Sequence, residues 1–360
     1  MTETSLNHDL LVRTLRPEDD GARDAFVRNH PDGTLFHDSR WKRAIQRTFG
    51  HIPRDFGVFR GEDMVGLLPL MRVPRLPLGR NLVSMPYGVY GGPLTADDAP
   101  DALGELLARA TGDARAEGVA RLELRCDKAL PDPIMQRFGL ANSALYSTFV
   151  RQLPDKPEDV LAMMPKKARA EARKARNRHG LELIEGRWYA EDLYRMFLKN
   201  KRSLGSPGLP AKLFHELMTI LGEDAVVHLV TRERQPLSAV MSFAYKGSLV
   251  AYYSGTEPGV DRLYSASNFM YMALQEWAVE RGFREFDFCR SRGDSGAFQF
   301  KLHQGFEPRQ LNYTYLGIKA EGLPSFTPSN PRTATLRKAW SHLPPPVVER
   351  LSPFLSRYLS

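Results

Sequence analysis

Cysteine and long apolar runs are scarce in this 360-residue sequence, which has only two cysteines, Cys126 and Cys289. Two cysteines are too few for a disulfide framework or a cysteine-rich zinc site. No stretch approaches the roughly 18 to 20 apolar residues that a membrane-spanning helix needs. The first residues lack a basic segment followed by an apolar one, so we expect no secretory signal. These absences predict a soluble, cytoplasmic globular protein.

Familiar chemical motifs are missing as well. The nine histidines show no HExxH or other paired metal-ligand spacing, so we expect no metal site. There is no Walker motif, no G-x-S-x-G and no dinucleotide-binding glycine fingerprint. Cys289 closes an apolar strand and is predicted to be a core residue rather than a nucleophile. The sequence therefore predicts no resident cofactor, and any acyl group would arrive on a co-substrate.

The positive charge is concentrated in two places. The net charge is +8, and residues 165–178 alone hold seven basic side chains and one acid. The segment from Lys319 to Ser360 holds six basic residues and two acids. The rest of the chain is close to neutral, so a nucleic-acid-binding coat over the whole surface is excluded. With 42% hydrophobic and 10% aromatic residues, the chain can form proper cores.

The two halves of the sequence follow the same order of elements. RAEGVARLELRC ends at Cys126 and VERGFREFDFC ends at Cys289, 163 residues later, and hairpins at 55–73 and 226–245 share about this offset. This repetition predicts two copies of one α/β unit. We predict an N-terminal domain (1–155), a C-terminal catalytic domain (156–318) and a basic amphipathic tail (319–360). The order of elements suits an α/β (α+β) fold of tandem GNAT-like domains, each a mixed, mostly antiparallel sheet flanked by helices.

A helix start follows the strand at 249–256. In GNAT enzymes this place holds an Arg/Gln-x-x-Gly-x-Gly/Ala loop that binds the pyrophosphate of coenzyme A at a helix N-terminus. Here the loop runs from Arg262 to Ser267, with serines at both glycine positions. The serine side chains hinder the close approach of a pyrophosphate to the backbone of this loop. The alternative is a capped helix start at Ser265, followed by Asn268.

Charged residues cluster where the strand FDFC ends. Asp287 lies in an alternating strand and needs a partner, for which Arg290 or Lys301 is available. Ser291 and Arg292 follow in the loop. Lys301 stands among phenylalanines, where an ammonium could bind a phosphate or stabilise an oxyanion. The alternative for Lys301 is a surface lysine whose stem covers apolar residues.

Two further segments are candidates for binding. The loop NKRSLGSPGLP (200–210) could line a site or be a plain connector. Four basic residues of the 165–178 segment are spaced by 3, 4 and 3, which places them on one helix face suited to phosphates. The alternative is a solvated helix. With the adjacent lysine, this predicted phosphate- or tRNA-binding set is Lys166, Lys167, Arg169, Arg173 and Arg176.

The sequence resembles the FemAB-like branch of the GNAT superfamily, in particular FemAB-related proteins of exosortase/PEP-CTERM systems. The resemblance rests on MPYGVYGGPL (85–94), MMPKKARAEARKAR (163–176), NKRSLGSPGLP, LVAYYSGT (249–256), the helix from Ser265 and FDFCRSRGDSGAFQFKLHQGFEP (286–308). It covers roughly residues 10–318. Peptidoglycan bridge-forming members of the wider family transfer an aminoacyl group from aminoacyl-tRNA to an amine of a precursor.

The resemblance implies roles for individual residues. Lys301 would contact the reacting end of the substrate, with Asp287 as a catalytic or supporting residue. The predicted substrate-binding residues are Tyr252, Tyr253, Arg290, Ser291, Arg292, Asn268 and Ser265. The basic helix would face the phosphates of tRNA or precursor.

The function predicted is an acyl or aminoacyl transferase that forms an amide on a nucleotide- or lipid-linked peptidoglycan or exopolysaccharide precursor. Aminoacyl-tRNA is one candidate donor. The first alternative is an acyl-CoA-dependent N-acyltransferase acting on an amino sugar. The second is a non-catalytic RNA- or glycan-binding scaffold. The tail could pack on the body or dock peripherally at the inner face of the membrane.

Overall fold

The computed structural model describes residues 10–76, 79–319 and 331–358, so parts of the predicted tail (320–330 and 359–360) lie outside the described residues. The first half contains β1 (Leu10–Thr14), α1 (Asp20–Asn29), α2 (Ser39–Phe49), β2 (Ile52–Pro53), β3 (Phe56–Arg60), β4 (Asp63–Leu68), β5 (Met71–Pro74), β6 (Arg80–Val83), β7 (Leu94–Thr95), α3 (Ala102–Ala116), β8 (Arg121–Cys126), α4 (Asp132–Phe138) and β9 (Ala141–Ser143). The second half contains β10 (Tyr146–Thr148), β11 (Val150–Gln152), α5 (Val160–Met163), α6 (Lys166–Asn177), β12 (Glu182–Glu185), α7 (Ala190–Ser203), α8 (Ala211–Leu221), β13 (Ala225–Arg232), β14 (Gln235–Tyr245), β15 (Ser248–Thr256), α9 (Val260–Tyr264), α10 (Ala266–Glu280), β16 (Glu285–Asp287), β17 (Ser291–Arg292), α11 (Gly296–His303), β18 (Arg309–Gln310), β19 (Asn312–Gly317), α12 (Pro331–His342) and α13 (Pro345–Ser356).

The chain divides into two compact units. Among the described residues, the first unit holds 10–144 and 311–319, and the second holds 145–310 and 331–358. These units differ from the predicted contiguous domains (1–155 and 156–318) in two places. Residues 145–155 join the second unit, and residues 311–318 return to the first. The difference arises because one strand from each half completes the sheet of the other half.

The first unit contains two sheets, in the orders β1-β3-β4-β7 and β2-β5-β6-β8-β19-β9. Neighbouring strands are antiparallel, apart from the parallel pair β6 and β8. Pro69 separates β4 from β5, and proline has no N–H to donate to a ladder. One long strand is therefore interrupted there, and its two parts serve different sheets.

A buried carboxylate joins three segments of the first unit. Asp55 is 1% exposed and accepts hydrogen bonds from the Arg23 guanidinium at 2.5 Å and the Leu70 N–H at 2.9 Å. The Lys42 ammonium lies 3.3 Å from the same carboxylate. A buried charge is tolerated only when it is paired and hydrogen-bonded, which is the case here. The Asp55 cluster thus fixes α1, α2 and the break after β4 to one another.

The second unit is built on one six-stranded sheet in the order β11-β16-β15-β14-β13-β12. Strands β12 to β15 form an antiparallel meander, as the sequence predicts for 225–256. Only β15 and β16 run parallel, and they pair from Ser248 with Glu285 to Val250 with Asp287. A small second sheet, β17-β10-β18, lies in the same unit.

The predicted repeat is confirmed by the pairing. In the first unit, β8, which ends at Cys126, is parallel to its neighbour β6. In the second unit, β16, which ends two residues before Cys289, is parallel to its neighbour β15. The next position in each sheet is antiparallel and comes from elsewhere in the sequence: β19 beside β8, and β11 beside β16. The tandem α/β fold is therefore correct, and the final strands are exchanged between the two halves of the sequence.

Two sets of helices cover the second sheet. Helix α10 packs into the core, and α6 lies on it through the fully or nearly buried Ala168, Ala172 and Ala175. Helix α7 packs against β15, where a Cβ at Gly255 would collide with the backbone of Met196 and Phe197. Small residues at both contacts let helix and partner approach closely.

The described part of the tail packs on the second unit, which was one of its two predicted positions. The Arg202 guanidinium donates to the Leu343 carbonyl at 2.7 Å, and the Gly208 N–H donates to the buried Ser352 hydroxyl at 3.2 Å. Gly205, with φ +68°, lies against the backbone of Arg337. Within the described ranges, no helix is both long and apolar enough to cross a membrane.

Buried histidines predict a loss of stability in acid. His228 is 1% exposed, and burial lowers its pKa to about 4. Because an unfolded histidine titrates near 6.5, the unfolded chain takes up this proton first, and stability is lost as pH falls from about 6.5 towards 4. His228→Phe keeps an aromatic ring against Trp277 and removes the titrating group. Between about pH 7 and pH 5 the variant should lose about 2 kcal/mol less unfolding free energy than the wild type.

Urea unfolding of the wild type and His228→Phe at the two pH values measures this difference. The matched control is His215→Gln, since His215 is an exposed histidine of α8. Equal acid sensitivity of wild type and His228→Phe would contradict the assignment of this loss to His228.

Candidate functional site

The two parallel strands of the second sheet, β15 and β16, separate after three paired residues. β15 continues from Ala251 to Thr256, whereas β16 ends at Asp287. The register between β14 and β15 also shifts between Met241 and Ser242, which leaves Tyr252 as an extra residue in β15. A bulge of this kind increases twist and bends the strand. Backbone groups past Val250 and Asp287 therefore face a gap in the sheet, beside the N-terminal end of α10.

Lys301 lies at this gap and holds the turn that follows β16. The side chain is 6% exposed, and its ammonium donates to the carbonyls of Phe288 at 2.5 Å, Cys289 at 2.9 Å and Arg290 at 3.3 Å. A lysine ammonium has three hydrogens, and these carbonyls accept all of them. The rings of Phe149 and Phe288 lie 5.2 and 5.1 Å from Nζ. The alternative of a surface lysine is therefore wrong.

The turn from Phe288 to Arg290 (the 288–290 turn) has an unfavourable backbone. Cys289 has φ +59°, a region that L-residues rarely adopt. The buried Asp287 carboxylate accepts the Cys289 N–H at 2.7 Å, and Lys301 binds the carbonyls. Burial lowers the pKa of Lys301 to about 8 and raises the pKa of the Cys289 thiol well above its usual value. Cys289 is thus a buried neutral thiol, as predicted, and Asp287 supports the backbone of this turn.

Tyr271 of α10 is a candidate that the sequence reasoning missed. Its ring lies 4.3 Å from that of Phe288, and a hydrogen bond joins its phenol to Ser254 in the diverging part of β15. Burial raises the pKa of Tyr271 to about 12, so the phenol keeps its proton near neutral pH. Its place one turn beyond Asn268 on a capped helix is the only signal that the sequence offers.

The N-terminal end of α10 already holds an anion. The Asp261 carboxylate accepts the Ser267 N–H at 2.7 Å and the Ser267 hydroxyl at 2.8 Å. Ser265 precedes the helix in a left-handed conformation with φ +54°, and its own N–H donates to the Asp261 carbonyl. A carboxylate at a helix N-terminus satisfies its free N–H groups and its dipole. This end of the helix is therefore capped from within, at the place where a GNAT loop would take a pyrophosphate.

Asn268 connects three helices instead of facing open solvent. Its amide donates to the Glu171 carboxylate of α6 at 2.7 Å, and its carbonyl accepts from the Gln304 amide just after α11. The backbone carbonyl of Gln304 accepts a hydrogen bond from the Arg151 guanidinium at 3.2 Å. This network holds α6 and the C-terminal end of α11, which carries Lys301, against α10. Asn268 is thus placed as a support of the site.

The structure divides the predicted phosphate-binding set in two. Arg169 donates to the carbonyls of Ala162 and Met164, and Arg176 pairs with Glu276, so both guanidinium groups are engaged within the unit. The remaining basic side chains are exposed and make no ion pair with any described residue. Lys174, which was not among the predicted residues, is exposed on the same side of the helix, and we call Lys166, Lys167, Arg173 and Lys174 the cationic face of α6. Arg169 and Arg176 are thus engaged within the unit because they border the buried alanines, and the phosphate-binding role of the predicted set remains a prediction.

A second cationic pair lies where the 288–290 turn faces the end of α7. Burial and the nearby Arg290 guanidinium lower the pKa of Lys201, and no carboxylate of the described residues lies within ion-pair distance of its ammonium. The ammonium lies 5.3 Å from the ring of Phe197. Lys201 belongs to the predicted 200–210 loop segment, but it was not singled out. Lys201 is half-buried and has no ion pair among the described residues, so its ammonium suits an anionic group of a ligand.

The aromatic side chains of β15 form one wall beside this pair. The Tyr253 ring is 5% exposed and lies 6.0 Å from Phe197 and 4.9 Å from Phe214. The Tyr252 ring lies 4.6 Å from that of Tyr253. Both predicted tyrosines thus lie in the second unit, on the strand that borders the gap.

The two remaining predicted residues follow Arg290. The Arg290 guanidinium lies over the Tyr146 ring, 4.8 Å from its centroid, and Ser291 is buried in the small sheet opposite Ser147. Arg292 binds Asp294 with two hydrogen bonds of 2.9 and 3.1 Å. Neither Ser291 nor Arg292 is brought to the gap by a contact. The described residues contain no group of three or more His, Cys, Asp or Glu side chains able to hold a metal ion.

Comparison with known proteins identifies this unit. Residues 164–302 match the acetyltransferase (GNAT) domain family. The crystal structure of FemX superposes with a TM-score of 0.66 at 15% identity, covering 86% of this chain and 98% of that one. A tandem GNAT protein from the clavulanic acid biosynthesis pathway superposes with a TM-score of 0.53 at 13% identity, covering 87% and 100%.

A third similar structure is the C-terminal domain of a putative lysylphosphatidylglycerol synthetase from Agrobacterium fabrum, with a TM-score of 0.54 and 13% identity over 84% of this chain and 92% of that one. No curated protein sequence matches the chain. The predicted resemblance to the FemAB-like branch is thus confirmed at the level of the fold. The second unit carries an acyltransferase domain of the GNAT type, and the chain as a whole has the tandem fold of FemX.

Proposed function

We propose that the protein transfers an aminoacyl group from aminoacyl-tRNA to an amine of a nucleotide- or lipid-linked precursor of the cell envelope. The observation that carries this proposal is the Asp261 carboxylate at the N-terminal end of α10. It occupies the N–H of Ser267, where a coenzyme A pyrophosphate would have to bind, and it would repel that pyrophosphate. An acyl-CoA donor is disfavoured, whereas a polynucleotide donor does not need this helix end.

The cationic face of α6 supports a polynucleotide donor. Its four unpaired basic side chains lie on the helix that packs on α10, close in the fold to the capped N-terminus. Phosphates along a tRNA acceptor arm would pair with them and release counterions.

Lys201 and Arg290 supply a place for the acceptor. The Lys201 ammonium would bind a phosphate or carboxylate of the precursor and so position its amine near the gap between β15 and β16, with the Arg290 charge adding to the positive field there. The name of the lysylphosphatidylglycerol synthetase relative supports a lipid-linked acceptor as one form of this class.

The reaction is aminolysis of an ester. The acceptor amine attacks the ester carbonyl, the C–N bond forms, and the tetrahedral oxyanion collapses with loss of the ribose hydroxyl of the tRNA. The proton lost by the amine balances the one gained by this hydroxyl. The longest bond of Lys301, 3.3 Å to the Arg290 carbonyl, is the one that an oxyanion could replace. Tyr271, protonated near neutral pH, would donate a hydrogen bond at the same gap.

The donor class can be tested by binding. We expect the wild type to bind bulk aminoacylated tRNA in a salt-dependent manner and not to bind acetyl-CoA in calorimetry. Lys166→Glu/Arg173→Glu should weaken tRNA binding at least about tenfold, because two phosphate contacts become repulsive. The matched control is Lys212→Glu/Arg284→Glu, which reverses two exposed charges of the same unit away from α6.

Binding of acetyl-CoA with no tRNA binding would instead support the acyl-CoA-dependent N-acyltransferase. Equal effects of the two double variants would show a nonspecific charge effect and contradict the role of the cationic face.

Lys201 gives a prediction in which stability and activity move in opposite directions. Burial and Arg290 make its charge costly in the folded state, so Lys201→Met should keep or raise the melting temperature. The same change removes half of the cationic pair and should raise the KM for UDP-MurNAc-pentapeptide at least about tenfold. Thermal unfolding and steady-state kinetics measure the two effects, with Lys212→Met as the control. An unchanged KM would remove Lys201 from the acceptor site.

Lys301→Met should abolish most of the activity. The variant leaves three carbonyls of the 288–290 turn without their donor and removes the cation, so kcat/KM should fall at least about 100-fold, with a lower melting temperature. Leu217→Ala, a core truncation in α8, controls for destabilisation alone. Both are assayed well below their melting temperatures. Wild-type turnover by Lys301→Met would exclude any catalytic or positioning role for this lysine.

A further inference from the structure

Helix α13 has one face against the second unit and an apolar stripe on another side that remains exposed among the described residues. Val348, Ser352 and Ser356 are at most 2% exposed and face the second unit. On the other side, Val347, Leu351 and Phe354 are 39%, 41% and 57% exposed. Their spacing of four and three residues places them in one stripe along the helix. A stripe of three large apolar side chains is costly to leave in water, so it indicates a surface for an apolar partner.

The charges around this stripe specify the partner. Arg350 is exposed and lies beside the stripe on α13, Glu349 lies about 160° away from Val347 around the helix, and Lys338 is exposed on the neighbouring α12. A helix with an apolar stripe bordered by basic residues lies flat in the interface of an anionic bilayer. The stripe runs along one convex helix and is not a groove, so it offers a protein segment few walls to contact.

We propose that α13 docks on the surface of an anionic lipid bilayer. Val347, Leu351 and Phe354 insert among the acyl chains, while Arg350 and the exposed Lys338 contact the lipid headgroups. The helix lies parallel to the membrane and does not cross it. This docking is independent of the transfer reaction and of the identity of its donor.

The hydrogen bonds that anchor α13 and the end of α12 determine which part of the second unit lies near the membrane when α13 docks. The helix is fixed to the loop after α7 through Ser352 and Gly208, and Arg202 in the last turn of α7 binds the Leu343 carbonyl just after α12. Asn200 and Lys201 lie just before this loop, at the C-terminal end of α7. A docked α13 therefore holds this loop near the headgroups, where a lipid-linked substrate would be presented.

Cosedimentation of the full chain with vesicles tests the proposal. The probes are phosphatidylcholine vesicles and vesicles that also contain about 30% phosphatidylglycerol, an anionic lipid. We expect binding to the anionic vesicles only, and weaker binding at higher salt. Leu351→Gln/Phe354→Gln should weaken it about tenfold, because two inserted side chains are lost. Arg350→Gln should weaken it by a smaller factor.

Leu11→Gln is the matched control, since Leu11 is 58% exposed but belongs to β1 in the first unit. Lack of binding to anionic vesicles, or equal binding by wild type and Leu351→Gln/Phe354→Gln, would overturn the proposal. Sedimentation equilibrium without lipid is the second measurement. A dimer that disappears in Leu351→Gln/Phe354→Gln would assign the stripe to a second copy of the chain and overturn the membrane assignment. Failure of the transfer assay would leave the vesicle result unaffected.

Discussion

The candidate site depends on one buried ammonium. A parallel pair of strands parts after three residues, and the chain leaving β16 must turn sharply with Cys289 in a left-handed conformation. Such a turn costs free energy and needs support from its surroundings. Lys301 provides it by donating to three successive carbonyls, and Asp287 adds a bond to the Cys289 N–H. The same side chain that makes the turn possible is also the cation nearest to the gap, so structure and chemistry cannot be separated at this position.

The basic helix and the long helices could be predicted from the sequence because their periodicity is strong. Alanines at fixed intervals in α6 and apolar residues along α10 indicate which sides are buried. The exchanged strands could not be predicted, since β11 has only three residues and β19 six, and neither carries a local pattern that selects β16 or β8 as its neighbour. Their partners are set by tertiary context and not by local pattern. The predicted domains were two continuous stretches of the sequence. They therefore assigned 145–155 to the first unit and 311–318 to the second, whereas the structure has the reverse.

The site could be predicted in its residue types but not in its contacts. FDFC and FK mark Asp287 and Lys301, yet nothing in the sequence shows that the ammonium is directed at backbone carbonyls of the 288–290 turn. Likewise, two serines at the glycine positions indicate a weak pyrophosphate loop. The capping of α10 by Asp261, however, is a contact across six residues that depends on how α9 folds. Lys201 was missed because its neighbour Arg290 lies far away in sequence.

Under the proposed function, the two ends of the second unit would have different tasks. The end near α10 and α6 is equipped for a large anionic donor: its helix N-terminus is closed by Asp261, while the basic side chains outside remain unpaired. The end near α7 carries the Lys201–Arg290 pair and is tied to α12 and α13 by the Arg202 and Gly208 hydrogen bonds. Because the gap between β15 and β16 lies in the same sheet, a donor and an acceptor held at the two ends would meet there. Both substrates would approach the 288–290 turn. Its backbone is held in place by the hydrogen bonds of Lys301 and Asp287.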